Sequence, residues 1–451
     1  MAESDAYANL VLPGLLRERG ISGRDAAFAT ELTYGTLRLR ARYDAVLSTC
    51  TRDRPLGSLD PEVLDLLRLG AHQLLGMRVP SHAAVSETVA LTREVVGPAP
   101  TGMVNAVLRT VGETGPDAWL ERLGAEADPD GTDLVARLSV LESHPDWITR
   151  ALRQSLLTEG VEEPDRDLTE LLRAHNLSPR VALVARPGLV ELDELAAQCR
   201  RLADQEPERG RFSPYALVPG AGDPGRLPAV RRAAAGVQDE GSQLVALAVA
   251  GAPVEGTDQQ WLDLCAGPGG KAALLGALAR ERGAGLLANE VAPHRAELVR
   301  GSTAAVADSV EIRVGDGRDL GREMPERFDR VLVDAPCTGL GALRRRPEAR
   351  WRRSPGDLGT LGRLQRELLA AAVEATRPGG VVGYVTCSPH VAETRLVVED
   401  TLRRGDTELL DAAAVLTEIS RSDPGLQGPY AQLWPHRHGT DAMFLALLRR
   451  R

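Results

Sequence analysis

Lysine is nearly absent from this sequence: Lys271 is the only lysine among the 54 basic residues, and all the others are arginines. The chain also has no apolar run close to the roughly 20 residues that a membrane-spanning helix needs. Its first residues, MAESDAYANL, lack the basic and apolar regions of a secretory signal. We therefore expect a cytoplasmic protein that does not bind a membrane.

Cysteines are few and scattered, and no two of them form a CxxC pair. The five are Cys50, Cys199, Cys265, Cys337 and Cys387. An odd number of widely spaced cysteines is typical of reduced thiols and does not suit a disulfide framework or a structural zinc site. We expect no bound metal.

A surplus of positive charge is also missing, since the net charge is −9 at pH 7. This value argues against a generally basic nucleic-acid-binding surface, although a local track of arginines could still bind phosphates. Apolar residues make up 43% and charged residues 26% of the chain, as in ordinary globular proteins. A chain of 451 residues predicts two or three domains.

The patterning divides the chain into four parts and predicts a multidomain protein. Residues 1–125 have apolar residues at helical spacing and no strand-like segment, which predicts an all-α bundle. Residues 126–139, rich in Asp, Gly and Pro, predict a linker. Residues 140–236 mix helical segments with a short strand and predict a small α/β subdomain. In residues 237–451 apolar strands alternate with helices, which is typical of a Rossmann-like α/β domain with a mostly parallel sheet.

Polar residues end the strands that we predict for this last domain. In chain order these residues are Cys265, Glu290, Asp316, Asp334 and Cys387. Ligands of such sheets bind outside the carboxyl ends of the strands. We therefore expect these five side chains to lie at one edge of the sheet and to form the functional site.

The first of these strands runs into a glycine-rich turn, DLCAGPGGK, at residues 263–271. Glycines allow a tight turn and a close approach of the backbone to a ligand at the start of the next helix. Ala272 stands where a phosphate-binding loop has a hydroxyl group, so that motif is excluded. A purely structural turn is the alternative.

Two acids strengthen the interpretation of the glycine-rich turn as a ligand site. Glu290 follows the glycines by about 20 residues, where an acid accepts hydrogen bonds from a ribose diol. Asp316 could accept from the amine of an adenine; for each acid alone, a helix cap or a surface residue is the alternative. Together they favour an adenosine-type cofactor.

The last two strand ends bring cysteines to the same edge. Asp334 and Cys337 lie in the turn VDAPCTG, and Cys387 ends the next strand. A cysteine is most often a buried packing residue, but two at the ends of adjacent strands, with an acid, are hard to explain by packing. An arginine-rich segment follows, and it predicts a phosphate track, with a solvated face as the alternative. Its candidate RNA-binding residues are Arg344, Arg345, Arg346, Arg350, Trp351 and Arg352.

Three motifs, DLCAGPGGK, VDAPCTG and YVTCSP, resemble those of the RNA cytosine-5 methyltransferases of the NOL1/NOP2/Sun family. The N-terminal segment VPSHAAVSETVALTREVV, followed by GMVNAVLRTV, resembles the helical RNA-binding domain that the RsmB-like (Sun, Fmu) branch shares with the antitermination factor NusB. The resemblance spans nearly the whole chain. It implies a NusB-like bundle, a small α/β subdomain and a Rossmann-like methyltransferase domain.

The resemblance also implies an activity and the residues that carry it. The expected reaction is methylation of cytosine C5 in RNA by S-adenosylmethionine, and the expected substrate is unassembled small-subunit (16S) ribosomal RNA bound by a monomer. By this resemblance, the residues expected to hold the cofactor are Cys265, Ala266, Gly267, Pro268, Gly269, Gly270, Lys271, Glu290, Asp316 and Asp334. Cys387 is expected to attack C6 of the base as a thiolate. Cys337 is expected to help resolve the covalent adduct, and Asp334 is expected to contact the cytosine edge near N3 and N4.

Two departures from the family pattern and three alternatives remain open. CAGPGG replaces the common CAAPGG, and VAET, residues 391–394, replaces a PEEN-like stretch, so that Glu393 matches one acid and Thr394 replaces the asparagine. DNA cytosine-5 methyltransferases use a Pro-Cys nucleophile that resembles Pro336-Cys337, and a non-catalytic RNA-binding or ribosome-assembly factor could keep the fold. The N-terminal bundle could also bind a protein instead of RNA.

Overall fold

The structure, a computed structural model, describes residues 7–51, 54–202, 205–220 and 222–451. Its contacts divide the chain into two compact units. The first comprises Met1–Ser178 and Leu343–Arg353, and the second comprises Pro179–Ala342 and Ser354–Arg451. Throughout the described ranges, no helix combines the length and the apolar character that crossing a membrane requires.

The first unit is helical, as the sequence predicts for the start of the chain. Asp60 shows how the sequence sets a boundary: its carboxylate caps the fourth helix by accepting from the Glu62 amide, and Pro61 occupies the first turn. Numbered in chain order, the helices are α1 (Ala8–Glu18), α2 (Gly23–Arg38), α3 (Arg40–Cys50), α4 (Pro61–Leu75), α5 (Ser81–Val95), α6 (Thr101–Glu113), α7 (Pro116–Ala127), α8 (Leu134–Leu141), α9 (Asp146–Glu159), α10 (Pro164–His175) and α17 (Ala349–Arg352).

The core of this bundle lies among α3, α4, α6 and α7, where apolar side chains are withdrawn from water. Its largest members are Tyr43, Leu47, Leu67, Leu108 and Trp119. The predicted linker, 126–139, includes the start of α8, because Asp133 caps that helix by accepting from the Ala136 amide. The four-part division at residues 125, 139 and 236 stays our proposal for the domain boundaries.

Arg350, predicted as a phosphate contact, is fully buried within the first unit. Its guanidinium donates to the main-chain oxygens of Arg38, Ser143 and His175 and to the side-chain oxygen of Asn176. Burial lowers its pKa to about 9. A guanidinium enclosed in this way holds the bundle together and cannot reach a phosphate, so this part of the prediction needs correction.

The rest of the arginine-rich segment also makes contacts inside the first unit. Arg344 is buried, and Arg345 and Arg352 are half-buried. The guanidinium groups of Arg346 and Arg352 lie over the ring of Tyr7, at 5.4 Å and 5.1 Å from its centre. Trp351 is half-buried, and the guanidinium of Arg40 lies over its ring. Of the predicted track, Arg346 is the exposed member.

The second unit begins with a small antiparallel sheet, which agrees with the α/β subdomain expected there. The strands are β1 (Leu183–Ala185), β2 (Glu208–Arg209), β3 (Ala216–Val218) and β4 (Ala235–Val237), in the order β2-β3-β1-β4. The helices α11 (Leu192–Leu202) and α12 (Pro228–Arg231) belong to this region. Leu183, Leu195, Cys199 and Leu217 pack in its core.

A larger mixed sheet follows, in the order β10-β12-β9-β8-β5-β6-β7, with β11 paired to β12. Its strands are β5 (Gln260–Asp263), β6 (Gly285–Glu290), β7 (Val310–Val314), β8 (Phe328–Asp334), β9 (Thr376–Thr386), β10 (Thr407–Leu410), β11 (Ala431–Gln432) and β12 (Phe444–Arg450). The pairs from β9 through β8, β5 and β6 to β7 are parallel, while β12 and β10 add antiparallel strands at one side. The Rossmann-like domain predicted for this region is confirmed.

Helices accompany this sheet, and buried side chains form two apolar clusters that each include residues of the strands. The helices are α13 (Glu240–Gly251), α14 (Gly270–Glu281), α15 (Pro293–Thr303), α16 (Leu320–Glu323), α18 (Asp357–Ala375), α19 (Arg395–Leu402), α20 (Ala412–Ile419) and α21 (Pro435–His438). Because the strands are buried on both faces, they are continuously apolar in sequence, as Val331, Leu332 and Val333 illustrate.

Replacing Arg350 by leucine is expected to lower the free energy of unfolding by about 3 kcal/mol or more, because several buried carbonyl groups lose their donors. The exposed Arg346→Leu variant is the control, and we expect a loss of at most about 1 kcal/mol from its contact with Tyr7. Urea unfolding of both variants measures the difference. Equal losses would contradict the structural role of Arg350.

Candidate active site

The carboxyl ends of the parallel strands place the predicted site residues at one edge of the large sheet. Cys265 lies two residues beyond β5, Glu290 ends β6 and Asp334 ends β8, while Asp316 lies two residues beyond β7 and Cys387 directly follows β9. These five strands are neighbours in the sheet and run parallel. The expectation that these residues share one edge therefore agrees with the topology.

Two thiols meet at this edge. The sulfur atoms of Cys337 and Cys387 are 3.4 Å apart, close enough for one thiol to donate a hydrogen bond to the other. This hydrogen bond and then burial raise the pKa of Cys337 well above its ordinary value. Cys337 is therefore a neutral thiol at neutral pH, and its S–H group can donate to a thiolate at Cys387.

Lys271, the lysine of the glycine-rich turn, forms an ion pair with Asp334. The distance between its Nζ and the Asp334 Oδ2 is 2.8 Å, and the lysine side chain is 12% exposed. Burial, the largest single effect, lowers the pKa of the Lys271 ammonium. The charge and the hydrogen bond of Asp334, together with the charges of Cys387 and Asp263, outweigh it and raise the pKa. Lys271 therefore stays positively charged, and its charge favours the thiolate form of Cys387.

The glycine-rich turn is built around the carboxylate of Glu290, which is 3% exposed. Its two oxygens accept from the main-chain amides of Gly267, at 3.1 Å, and Ala292, at 3.0 Å. A Cβ atom on Gly267 would lie 2.2 Å from this carboxylate, and Gly269 has a φ of +111°. Glycine is thus required at position 269, whereas an alanine at position 267, as in the CAAPGG form of the motif, requires the ends of the Glu290 and Arg295 side chains to shift. The close backbone leaves a concave turn beside the strand ends.

Asp263, at the end of β5, is a buried acid to which the sequence reasoning gave no role. Neither oxygen of its carboxylate receives a hydrogen bond of good geometry from a described residue. Burial, followed by the charge of Asp334, raises its pKa to about 7. An acceptor enclosed in this way fits a ligand that brings hydrogen-bond donors or a positive charge. In the sequence, the only indication of a role for Asp263 is its position as the first residue of the motif DLCAGPGGK.

Asp316 already has a partner in the structure. Arg318 forms an ion pair with its carboxylate, with 2.6 Å between Nη2 and Oδ2, and this pair lowers the pKa of Asp316. Arg318 also donates to Glu367. A ligand amine at Asp316 would therefore share the carboxylate with Arg318, which the sequence pattern did not indicate.

Cys265 is the remaining predicted residue at the strand ends, and its surroundings do not favour the thiolate form. Burial, and then the charges of Asp263 and Asp334, raise its pKa well above the ordinary value. In the described ranges, no group of three or more His, Cys, Asp or Glu side chains is arranged to hold a metal ion. This edge of the sheet therefore combines two thiols in contact, a lysine–aspartate ion pair and a concave turn beside buried acids.

Two family descriptions match the chain. "16S rRNA methyltransferase RsmB/F" matches residues 249–449, and "NusB family" matches residues 1–113. The first match contains β5 to β9 with every strand end described above. The second contains the helices α1 to α6.

Individual proteins are similar over nearly the full length of this chain. Rv1407 of Mycobacterium tuberculosis, provisionally named a methyltransferase, is 51% identical over 99% of this chain and 93% of its own length. The ribosomal RNA small subunit methyltransferase B of Vibrio cholerae is 30% identical over 96% of this chain and 91% of its own. Among solved structures, PH0851 has a TM-score of 0.77 at 21% identity, covering 96% of this chain and 93% of that one, which shows the shared fold.

Replacing Asp263 by asparagine is expected to raise the melting temperature at pH 7 and above and to have little effect near about pH 4. Because burial raises the pKa of this acid from 3.8 to about 7, the folded state loses stability as the pH rises between these two values, and the loss is complete once the pH exceeds the folded-state pKa. Asparagine cannot ionise and removes this loss. Melting curves between about pH 4 and about pH 8 test this prediction, with the surface variant Asp308→Asn as control. Parallel curves for Asp263→Asn and the unmodified protein would contradict the assignment.

Proposed function

Because the chain belongs to the RsmB/F family of 16S ribosomal RNA methyltransferases, we propose that it methylates carbon 5 of a cytosine in small-subunit ribosomal RNA. The observation that carries the proposal is the contact between the two thiols, with sulfur atoms 3.4 Å apart. Methylation of a ring nitrogen or a hydroxyl group requires no cysteine nucleophile, whereas carbon 5 of cytosine requires one.

The family depends on S-adenosylmethionine, which supplies an electrophilic methyl group when bound. The residues of the glycine-rich turn, 265–271, together with Glu290, Asp316 and Asp334, would hold this cofactor. Two features of the structure fit it: the close backbone that Gly267 and Gly269 permit, and the enclosed carboxylate of Asp263, which lacks a well-aligned donor. We add Asp263 to the proposed cofactor-binding residues.

The chemistry of cytosine explains the need for a thiolate. Carbon 5 of the neutral base is a poor nucleophile. When the Cys387 sulfur forms a bond to carbon 6, the electrons of the 5,6 double bond become available at carbon 5, which can then accept the methyl group. Lys271 favours the thiolate that begins this step. Asp334 would contact the base edge near N3 and N4, where charge develops during the attack.

Resolution of the adduct requires that carbon 5 lose its proton to solvent water, that the electron pair of this C–H bond restore the 5,6 double bond, and that the bond between sulfur and carbon 6 break. The electron pair of that bond returns to Cys387 as a thiolate. Cys337 is neutral and in contact with this sulfur, so its S–H group can donate a hydrogen bond to the departing thiolate. Its proposed role is to make Cys387 a better leaving group.

The first unit would bind the RNA around the target base. A cavity of about 670 Å³ is lined by residues of α4, α5 and α6, and its polar lining includes His82, Arg93, Asn105 and Arg109. Two arginines in a groove suit contacts to phosphates. A base inside folded RNA must be unstacked to reach a thiol, at a cost of a few kcal/mol. We therefore propose unassembled ribosomal RNA as the substrate of a cytoplasmic monomer.

The two cysteines are expected to behave differently when they are replaced singly. With S-adenosylmethionine and unassembled small-subunit ribosomal RNA, Cys337→Ala should accumulate a protein–RNA adduct that survives denaturing electrophoresis, because release is impaired. Cys387→Ala should form no adduct and no 5-methylcytidine, which nucleoside mass spectrometry measures. Cys199→Ala, a buried cysteine of the small subdomain, is the matched control and should retain full activity.

Other outcomes of this experiment would change the account. The reverse pattern would make Cys337 the attacking residue and favour a mechanism like that of the DNA enzymes, which DNA substrates would then test directly. If the unmodified protein neither forms 5-methylcytidine nor binds RNA covalently, the proposed function is contradicted.

The charge of Lys271 is expected to set the reactivity of Cys387. Lys271→Met should move the pH dependence of Cys387 alkylation by iodoacetamide upward by about one pH unit or more, because a nearby cation stabilises the thiolate. Lys271→Arg keeps the charge and is the control. Mass spectrometry of the alkylated peptide measures the rate. An unchanged pH profile in Lys271→Met would exclude this electrostatic role.

A further inference from the structure

Glu393 is a fully buried carboxylate six residues beyond Cys387, in the helical turn Val391–Glu393. Its Oε1 accepts from the main-chain amide of Thr338, at 2.8 Å, and from the Nε2 of Gln365, at 3.2 Å. Its Oε2 accepts from the hydroxyl group of Thr338. The hydroxyl of Tyr384, in β9, donates to its main-chain oxygen at 2.7 Å.

These bonds hold the neighbours of both reacting thiols. Thr338 directly follows Cys337, and the Nε2 of Gln365 also donates to the main-chain oxygen of Pro336, at 2.9 Å, on the other side of that cysteine. Ser388 directly follows Cys387, and its hydroxyl lies 3.1 Å from that of Thr338. One carboxylate thus connects the loop of Cys337 to the loop of Cys387.

The charge of Glu393 is the unusual part of this arrangement. In the portion of the chain that the structure describes, no basic side chain forms an ion pair with it, and it is withdrawn from water. Burying a carboxylate without a cation is costly, and hydrogen bonds from three donor groups compensate only in part. A neutral side chain could join the two loops with a smaller desolvation cost. The carboxylate therefore serves a function other than stabilising the fold.

We propose that Glu393 is a positioning residue that sets the separation and orientation of the Cys337 and Cys387 thiols. This inference rests on the proposed function of the two cysteines and deepens it. Glu393 holds the neighbours of both cysteines through Thr338, Ser388 and Gln365, and its charge also contributes to the raised pKa of Cys337. Because it accepts from both the amide and the hydroxyl of Thr338, it fixes the turn that carries Cys337 in two directions.

Glu393→Gln keeps the shape of the side chain but removes its charge and replaces one acceptor atom by a donor. The Thr338 hydroxyl can then no longer donate to residue 393, and its bond with Ser388 must reverse direction. We expect kcat for methylation to fall roughly 10- to 100-fold and KM for S-adenosylmethionine to stay unchanged.

A second readout, the rate of disulfide formation, does not require methylation activity. Diamide oxidises the two thiols to a disulfide, taking up their two electrons and two protons to become a hydrazine. The rate of linkage of Cys337 to Cys387, followed by peptide mass mapping, should fall roughly tenfold or more in Glu393→Gln.

The control is Glu399→Gln, which removes a partly exposed acid of α19 and should change neither rate. Thr338→Val and Thr338→Ser form a second pair, in which valine removes the hydroxyl that bridges Glu393 and Ser388 and serine retains it. Valine should slow disulfide formation, and serine should restore most of the rate. If Glu393→Gln fails to fold, the comparison of Thr338→Val with Thr338→Ser still tests the positioning role.

Equal disulfide rates in Glu393→Gln and the unmodified protein, or in Thr338→Val and Thr338→Ser, would overturn the inference, even if methylation were reduced. If the disulfide rate falls but the unmodified protein does not methylate RNA, the positioning role stands and the proposed function fails. The two claims are therefore tested separately.

Discussion

The parallel pairing of β8 with β9 is the constraint on which the site depends. Asp334 lies opposite Val385 in this pair, so the turns that carry Cys337 and Cys387 leave the sheet side by side. A shift of the register by one residue would turn every side chain of β9 to the other face and separate the thiols. Gly383 helps to hold β9 in place, because a Cβ atom there would lie 2.2 Å from Val249 of α13. The apolar core thereby brings the turns of the two cysteines side by side.

Around this pair, the structure concentrates charges that an ordinary core would exclude. Asp263 and Asp334 end neighbouring strands, Lys271 in the first turn of α14 pairs with Asp334, and Glu393 is fully buried. The pKa of Asp263 is raised to about 7, which shows that the edge is costly to fold when no ligand is bound. Such a site is stabilised by what binds it, because a ligand that supplies donors to Asp263 relieves this cost.

Local patterns explain why the strand ends could be predicted from the sequence. The apolar runs that stop at Asp334 and Cys387, and the glycines that follow Asp263, are local features that neighbouring residues in the sequence reveal. The parallel topology of the sheet then brings these strand ends together. Arg350 shows the limit of such reasoning. Its acceptors lie near residues 38, 143 and 175, so no local pattern distinguishes it from the exposed Arg346. The same applies to Gln365, which lies in the middle of α18 and bonds to two loops distant in sequence.

The central claim is that the sulfur of Cys387, and not that of Cys337, forms the bond to cytosine. The most direct measurement uses the unmodified protein, S-adenosylmethionine and small-subunit ribosomal RNA in which cytosine carries fluorine at carbon 5. Fluorine cannot leave as a proton, so the adduct persists, and mass spectrometry of the digested complex identifies the attached cysteine. The account predicts a nucleotide on the peptide that contains Cys387. A nucleotide on the Cys337 peptide would contradict it.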